Sequence, residues 1–150
     1  MTFSFLPPAD ELQIRNLIAR YALHTDAGDA EEFAKLYVQD GSWTRENSPP
    51  VALGGSGLPQ QTFTGREALA ELIVTSAINR FKRKARHQMT DVLVEPGKST
   101  NEANIVFRAL VTNWMDGPGK IAMCVHYRGT CVLTNEGWRF KDVSARVLPE

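Results

Sequence analysis

Residues 121–134 read IAMCVHYRGTCVLT and alternate apolar with polar side chains. One predicted face carries Ile121, Met123, Val125, Tyr127 and Leu133, and the other carries His126, Arg128 and Thr130. Because successive side chains of a β-strand point to opposite faces, this period of two predicts a long strand with one buried face. Such a pattern is typical of an antiparallel sheet that is covered on one side.

Three further strands are predicted at residues 87–95, 103–114 and 137–148. The breaks between the four strands are rich in Pro, Gly and Asn, which favour tight turns: Glu95-Pro96-Gly97-Lys98, Asp116-Gly117-Pro118-Gly119 and Asn135-Glu136-Gly137. The second half of the chain is therefore predicted to form a long antiparallel meander.

The first half is predicted to be mainly helical. Apolar residues recur at three- and four-residue steps from Ile14 to Thr25, and Gly28 is placed to end this helix. A short second helix and a third helix follow, the third with an apolar stripe of Leu69, Leu72, Ile73 and Ala77. Candidate capping pairs precede the three helices: Asp10 with Gln13, Asp29 with Glu32, and Thr64 with Glu67.

A short strand is predicted around residues 42–44, and residues 45–61, rich in Pro and Gly, are predicted to form a long loop. A loop of this length is either a functional lid or a mobile segment. Helices followed by a meander predict a single α+β domain over residues 1–150. In this fold the helices pack on one face of a curved sheet and enclose a pocket, while the other face is free to pair with a second subunit.

The charge balance excludes several classes of protein. Lys and Arg number 17, as do Asp and Glu, so the formal net charge is zero, unlike that of a dedicated nucleic-acid binder. Zero net charge also favours self-association, here as a homodimer. No apolar run is long enough to span a membrane. Since the N-terminus does not resemble a signal peptide and Cys124 and Cys131 are predicted to be too far apart on one strand to form a disulfide, we expect a cytoplasmic protein.

Asp26 and His87 are the two candidates for chemistry. Asp26 extends the apolar stripe of the first helix, eight residues after Ile18, and lies near a helix C-terminus, where a carboxylate is disfavoured. It either caps a turn in water or has a buried partner. A neutral imidazole is the side chain best suited to act as a general base near neutral pH. His87 is either such a base, oriented by Asp26, or a surface histidine.

Two other features are open to two interpretations. Tyr21 either belongs to the helix core or donates its phenol proton to a substrate oxygen. The run Arg80, Lys82, Arg83, Lys84 and Arg86 places five cations in seven residues. It is either a solvated helix end or a positive collar that attracts an anionic substrate, such as a carboxylate or a coenzyme A thioester. The spacing of His24, His87 and His126 does not support a metal site.

The sequence resembles SnoaL-like proteins, which belong to the nuclear-transport-factor-2-like superfamily with its cone-shaped, cystatin-like α+β fold. The resemblance covers nearly the whole chain. It lies in residues 11–29 with Tyr21 and Asp26-Ala27-Gly28-Asp29, in Phe63-Thr64-Gly65-Arg66-Glu67-Ala68-Leu69, in Arg86-His87-Gln88-Met89-Thr90-Asp91, and in Tyr127-Arg128-Gly129 with Gly137-Trp138-Arg139. It implies three N-terminal helices on a curved mixed or antiparallel sheet.

Within that superfamily the pattern is similar to scytalone dehydratase, bile-acid 7α-dehydratase and hexachlorocyclohexane dehydrochlorinase, which use an Asp-His dyad and no metal or organic cofactor. The similarity implies a cofactor-independent lyase or isomerase in which Asp26 and His87 form the dyad. Tyr21 and Arg146 would stabilise negative charge on oxygen. Their size suggests Trp43, Phe63, Met89 and Trp114 as walls for an apolar polycyclic or aromatic substrate.

Two other functions fit the same resemblance. The chain is similar to the small β subunits of aromatic-ring-hydroxylating dioxygenases, which have no catalytic role of their own. It also fits a ligand-binding module whose pocket performs no chemistry. A stable homodimer in gel filtration would favour the self-contained enzyme over the subunit.

Overall fold

The computed structural model describes residues 4–46, 50 and 57–148. Its helices are α1 (Pro8–Ala27), α2 (Ala30–Lys35) and α3 (Arg66–Ile73), and α3 continues into a π-helical segment, Val74–Arg80. Its strands are β1 (Tyr37–Arg45), β2 (Gln61–Thr64), β3 (Ala85–Pro96), β4 (Glu102–Asn113), β5 (Lys120–Thr134) and β6 (Gly137–Val147). Residues 47–49 and 51–56 of the predicted long loop lie outside the described residues.

The six strands form one curved, mixed sheet in the order β2-β1-β6-β5-β4-β3. Strands β3 to β6 are the predicted antiparallel meander. Strand β1 returns parallel to β6, with Trp43 opposite Val143, and β2 pairs antiparallel with β1. The helices cover one face of this sheet, so the α+β fold predicted from the sequence is confirmed.

Helix α1 buries the predicted stripe on the inner face of the sheet: Ile14, Leu17, Ile18, Tyr21, Ala22 and Thr25. Gly28 ends the helix in the left-handed conformation, with φ of 73°, and its N–H donates to main-chain oxygens of the last turn. A residue with a Cβ is disfavoured at this φ, which explains why the predicted stop is a glycine.

The predicted capping pairs are wrong. Helix α1 begins at Pro8, and the Asp10 carboxylate instead accepts a hydrogen bond from Trp138 Nε1 of β6 at 3.0 Å. Asp29 precedes α2 without a side-chain cap. Thr64 belongs to β2, where it pairs with Ser42, and Gly65 takes the capping position of α3. At Asp10 a tertiary contact and at Thr64 a strand pairing take precedence over local capping.

A β-bulge changes which side chains of β6 face the helices. Phe140 lies opposite Cys131 and Asp142 lies opposite Thr130, so Lys141 is an extra residue. An extra residue reverses the alternation of faces beyond it. Simple alternation would place Asp142, Ser144 and Arg146 on the face of Trp138 and Phe140, but the bulge turns them to the outer face. The buried residues beyond the bulge are Val143 and Ala145.

Strand β5 shows the same effect at one end. Met123 pairs with Val111 and Ile121 pairs with Thr112, so Ala122 is extra and Ile121, 73% exposed, leaves the inner face. Leu133 is also exposed, while Val125, Tyr127 and Cys131 carry the buried face. Cys124 and Cys131 both lie in β5 and are free thiols. Within the described ranges, no helix is long and apolar enough to cross a membrane.

Candidate active site

A cavity of about 130 Å³ lies between the helices and the inner face of the sheet. This volume is several times what one water molecule needs. Apolar side chains form most of its wall, contributed by α2, β1, α3, the π-helical segment, β5 and β6: Phe33, Trp43, Leu72, Ile73, Ala77, Met123, Val125, Ala145 and Val147. The pocket predicted for this fold is therefore present.

Asp26 and His87 meet in the wall of this cavity. Asp26 is in the last turn of α1 and His87 is near the start of β3, and their side chains are only 15% and 14% exposed. Oδ1 of Asp26 lies 2.6 Å from Nδ1 of His87. Oδ2 accepts the main-chain N–H of His87 at 3.0 Å. The carboxylate is thus bonded to its partner through both oxygens.

The topology explains how both bonds form. Strand β3 is at the edge of the sheet, so its N–H groups that point away from β4 have no strand partner and are available to α1. The negative end of the helix dipole disfavours a carboxylate at this position, and two donors from His87 compensate for it. Since an ionised carboxylate only accepts hydrogen bonds, we assign the proton of neutral His87 to Nδ1, which leaves Nε2 as an acceptor.

Tyr21 and Trp43 form a second hydrogen-bonded pair in the cavity wall. Trp43 Nε1 donates to the Tyr21 hydroxyl at 3.0 Å, and both residues are buried. Burial raises the pKa of Tyr21 well above its ordinary value, and hydrogen bonds with Trp43 and Tyr127 offset only part of this effect. The phenol therefore stays protonated and can donate its hydrogen.

Three arginines border the same cavity, and Asp26 is its one carboxylate within the described residues. Arg45 comes from β1, Arg80 from the end of the π-helical segment, and Arg83 from the turn before β3. Arg83 Nε donates to Ala27 O at 3.1 Å and so stabilises the C-terminus of α1. Of the five cations of the basic run, Arg80 and Arg83 border the cavity, and Arg83 also binds the C-terminal end of α1.

The remaining predicted site residues lie elsewhere. Phe63 packs on Trp43, with ring centroids 6.1 Å apart, and Met89 packs against the core, but neither is among the cavity-lining residues. Trp114 is 49% exposed near the end of β4, where its Nε1 donates to Thr112. Arg146 follows the β6 bulge on the outer face, where its Nε donates to Glu46.

Several lining residues were not predicted as site residues. Tyr127 lies beside Tyr21, with ring centroids 5.5 Å apart, and the alternation of β5 had already assigned it to the buried face. Thr25 is on the predicted stripe of α1, and its Oγ1 donates to Tyr21 O at 2.7 Å. Arg45 lies two residues after Trp43 and shares its face, which is the signal that identifies it.

The residues that could bind a metal are dispersed. Within residues 4–46, 50 and 57–148, no three His, Cys, Asp or Glu side chains form a group that could hold a metal ion. His24 lies 3.6 Å from Asp29 at the end of α1, and His126 lies opposite Arg108 and Arg146 in the sheet. What the cavity offers chemically is a carboxylate-oriented imidazole, a buried phenol and guanidinium groups.

Comparison with known proteins agrees with this architecture. The sequence pattern of the SnoaL-like domain matches residues 8–144. The chain belongs to the SnoaL-like domain family. No curated protein matches it significantly. Membership in this family gives the SnoaL-like fold and leaves the reaction open, since one scaffold supports many chemistries.

Solved structures with the same fold are similar to this chain over most of their length. An NTF2-like protein with a cystatin-like fold from Novosphingobium aromaticivorans has 26% identity and a TM-score of 0.77, over 93% of this chain and 82% of that one. A proposed scytalone dehydratase from the same organism has 25% identity and a TM-score of 0.67, over 93% and 85%. LinA has 18% identity and a TM-score of 0.73, over 94% and 87%, which shows the fold alone.

Proposed function

We propose that this SnoaL-like protein is a cofactor-independent lyase of the dehydratase type, in which His87 removes a proton next to a carbonyl group of a small apolar substrate. The observation that carries the proposal is the double hydrogen bond between Asp26 and His87 in a cavity wall. The similarity to a proposed scytalone dehydratase agrees with it. A self-contained homodimer in the cytoplasm stays a prediction from the sequence.

The Asp26–His87 pair supports general-base chemistry for two reasons. The carboxylate fixes the imidazole ring and stabilises the imidazolium that forms when Nε2 accepts a proton. The apolar wall limits access of water, so this electrostatic stabilisation is less screened than in bulk solvent. General-base catalysis contributes about 10²–10⁴-fold to a rate, which sets the expected loss when either residue is removed.

The proposed step is an elimination from a β-hydroxy ketone. Nε2 of His87 takes the α proton, the C–H electron pair forms the new C=C bond, and the C–O bond at the β carbon breaks. The departing hydroxide takes the proton back from the imidazolium and leaves as water. The Tyr21 phenol, kept protonated by burial, would donate a hydrogen bond to the carbonyl oxygen as negative charge develops there.

The test uses 3-hydroxy-1-tetralone, a two-ring β-hydroxy ketone, whose dehydration gives fluorescent 1-naphthol. We expect the wild-type protein to accelerate this reaction, and His87→Gln and Asp26→Asn to lower kcat/KM by about 100-fold or more. His126→Gln is the matched control, because this histidine lies on the outer side of the sheet opposite Arg108 and Arg146.

Equal rates for wild-type protein, His87→Gln and Asp26→Asn would contradict the dyad. Circular dichroism of each variant verifies that it is folded. Deuterium exchange at the carbon next to the carbonyl of 1-tetralone, which has no leaving group, separates proton removal from elimination. If 1-tetralone exchanges its protons in a way that depends on His87 but 3-hydroxy-1-tetralone loses no water, the result would support an isomerase in place of a dehydratase.

A further inference from the structure

Two arginines at the cavity border have guanidinium donors without a carboxylate partner. Arg45 uses Nε to bond Pro59 O at 3.1 Å and Nη2 to bond Gln61 Oε1 at 2.8 Å, both neutral acceptors. Arg80 stacks its guanidinium 5.0 Å from the centre of the Phe81 ring. Across the part of the chain that the structure describes, neither arginine forms an ion pair with a carboxylate.

The nearest carboxylates in the sequence and in the cavity are committed to other partners. Glu46 follows Arg45 directly but points to the other face of β1, where it pairs with Arg146. Asp26 is held by His87 through both oxygens. Three arginines against one carboxylate give the cavity border an excess of positive charge.

The two guanidinium groups also influence each other. Desolvation lowers the pKa of Arg45, and the positive charge of Arg80 lowers it further. Both cations border the same cavity, and an anion bound between them would relieve their repulsion. A guanidinium has five N–H donors in a planar arrangement that matches a carboxylate, and Arg45 uses two of its donors in the bonds described above.

We propose that Arg45 and Arg80 form a carboxylate-binding subsite, so that the substrate of this protein is an apolar ring system that carries a carboxylate group. The inference rests on the proposed function for the position of the ring system beside His87. It adds a second point of binding, besides the contact with His87, and two points fix the orientation of the substrate in the cavity. Arg83 contributes positive charge at this border but keeps its Nε on Ala27.

The test compares 2-naphthoate with its neutral isostere 2-naphthamide by quenching of tryptophan fluorescence, since Trp43 lies in the cavity wall. We expect 2-naphthoate to bind about tenfold more tightly, with a preference that decreases as salt is added. Arg45→Gln and Arg80→Gln should each reduce the preference, and the double variant should abolish it. Arg20→Gln, an exposed position on α1, is the matched charge control and should retain it.

Equal affinity for the two probes, including no binding of either one, would overturn the inference, and so would a preference that survives the double variant. Tighter binding of coenzyme A than of 2-naphthoate would contradict the assignment of a carboxylate and indicate that the subsite binds a phosphate-bearing carrier. The same titration with His87→Gln separates the two proposals. If His87→Gln and Asp26→Asn leave turnover unchanged but the affinity for 2-naphthoate still depends on Arg45 and Arg80, the proposed function is wrong and the carboxylate-binding subsite is supported.

Discussion

The Asp26 carboxylate binds His87 at two points, with Oδ1 2.6 Å from ring Nδ1 and Oδ2 3.0 Å from the main-chain nitrogen. The main-chain bond joins the end of α1 to the edge strand β3, and the ring bond orients the imidazole. One carboxylate therefore fixes both the position of the strand and the tautomer of the histidine.

The tautomer of His87 is the first prediction. In protein labelled with ¹⁵N-histidine, the neutral imidazole of His87 should show a protonated Nδ1 and an unprotonated Nε2, because Oδ1 of Asp26 only accepts hydrogen bonds. Asp26→Ala should remove this preference, while the signals of His24 and His126 stay unchanged. A neutral His87 that carries its proton on Nε2 in the wild-type protein would contradict the assignment of Nε2 as the base.

Tyr21 and Trp43 give the second prediction. Tyr21→Phe removes the acceptor of a buried indole N–H, and an unsatisfied buried donor costs about 1–3 kcal/mol of unfolding free energy. We expect a loss in this range in urea unfolding and a lower kcat for 3-hydroxy-1-tetralone. The double variant Tyr21→Phe with Trp43→Phe should lose less stability than the sum of the two single losses, since the indole N–H that needs an acceptor is then also absent. Additive losses would show that the two residues do not interact.

The third prediction concerns high pH. The chain has three tyrosines, Tyr21, Tyr37 and Tyr127, and burial raises the pKa of each well above the ordinary value. Because the folded pKa values lie above the unfolded ones, this stabilisation is complete below about pH 10 and is lost as the pH rises toward the folded values. Each tyrosine should lower the unfolding free energy by about 1.4 kcal/mol per pH unit in this interval.

Two measurements test this dependence. The tyrosinate absorbance of the native protein should stay flat up to about pH 11 and appear only as the chain unfolds, whereas urea-unfolded protein should titrate near pH 10. The midpoint of urea unfolding should fall steeply above about pH 10. A native-state titration near pH 10 would contradict the burial of these phenols.

Local patterns were sufficient to predict much of the molecule. The stripe of α1, the stop at Gly28 and the strands β3 to β6 follow from periodicity and turn residues, and these are properties of neighbouring residues. Asp26 stood out because a carboxylate on an apolar stripe needs a partner, and His87 supplies it. The family resemblance identified His87, among the three histidines, as the partner of Asp26. The position of His87 in the sequence did not identify it.

Features that depend on distant residues could not be predicted in this way. The β6 bulge that turns Arg146 to the outer face depends on the register with β5, which no local pattern in β6 reveals. Two of the three capping pairs failed because Trp138 binds Asp10 and β1 pairs with Thr64. One signal was present, since a glycine inside a strand often marks a bulge or a close approach of another main chain, and Gly129 is such a residue.

Gly129 provides the last prediction. A Cβ at this position would overlap the main-chain oxygen of Asp142, in the bulged part of β6. A main-chain oxygen in the middle of a sheet cannot move aside without breaking the pairing of β5 with β6, so we expect Gly129→Ala to cost about 2–3 kcal/mol. Since the bulge turns Ala145 and Val147 into the cavity, the variant should also weaken binding of 2-naphthoate.

Gly119→Ala is the control for Gly129→Ala. The three atoms nearest to a Cβ at Gly119 all belong to the ring of Trp114, a half-exposed side chain that can rotate away into solvent. We therefore expect a loss of less than about 1 kcal/mol and unchanged binding of 2-naphthoate for this variant. Urea unfolding of Gly129→Ala and Gly119→Ala under the same conditions measures the two losses of unfolding free energy. Equal losses would mean that β6 relaxes around the added methyl group, and that the bulge does not depend on the glycine opposite it.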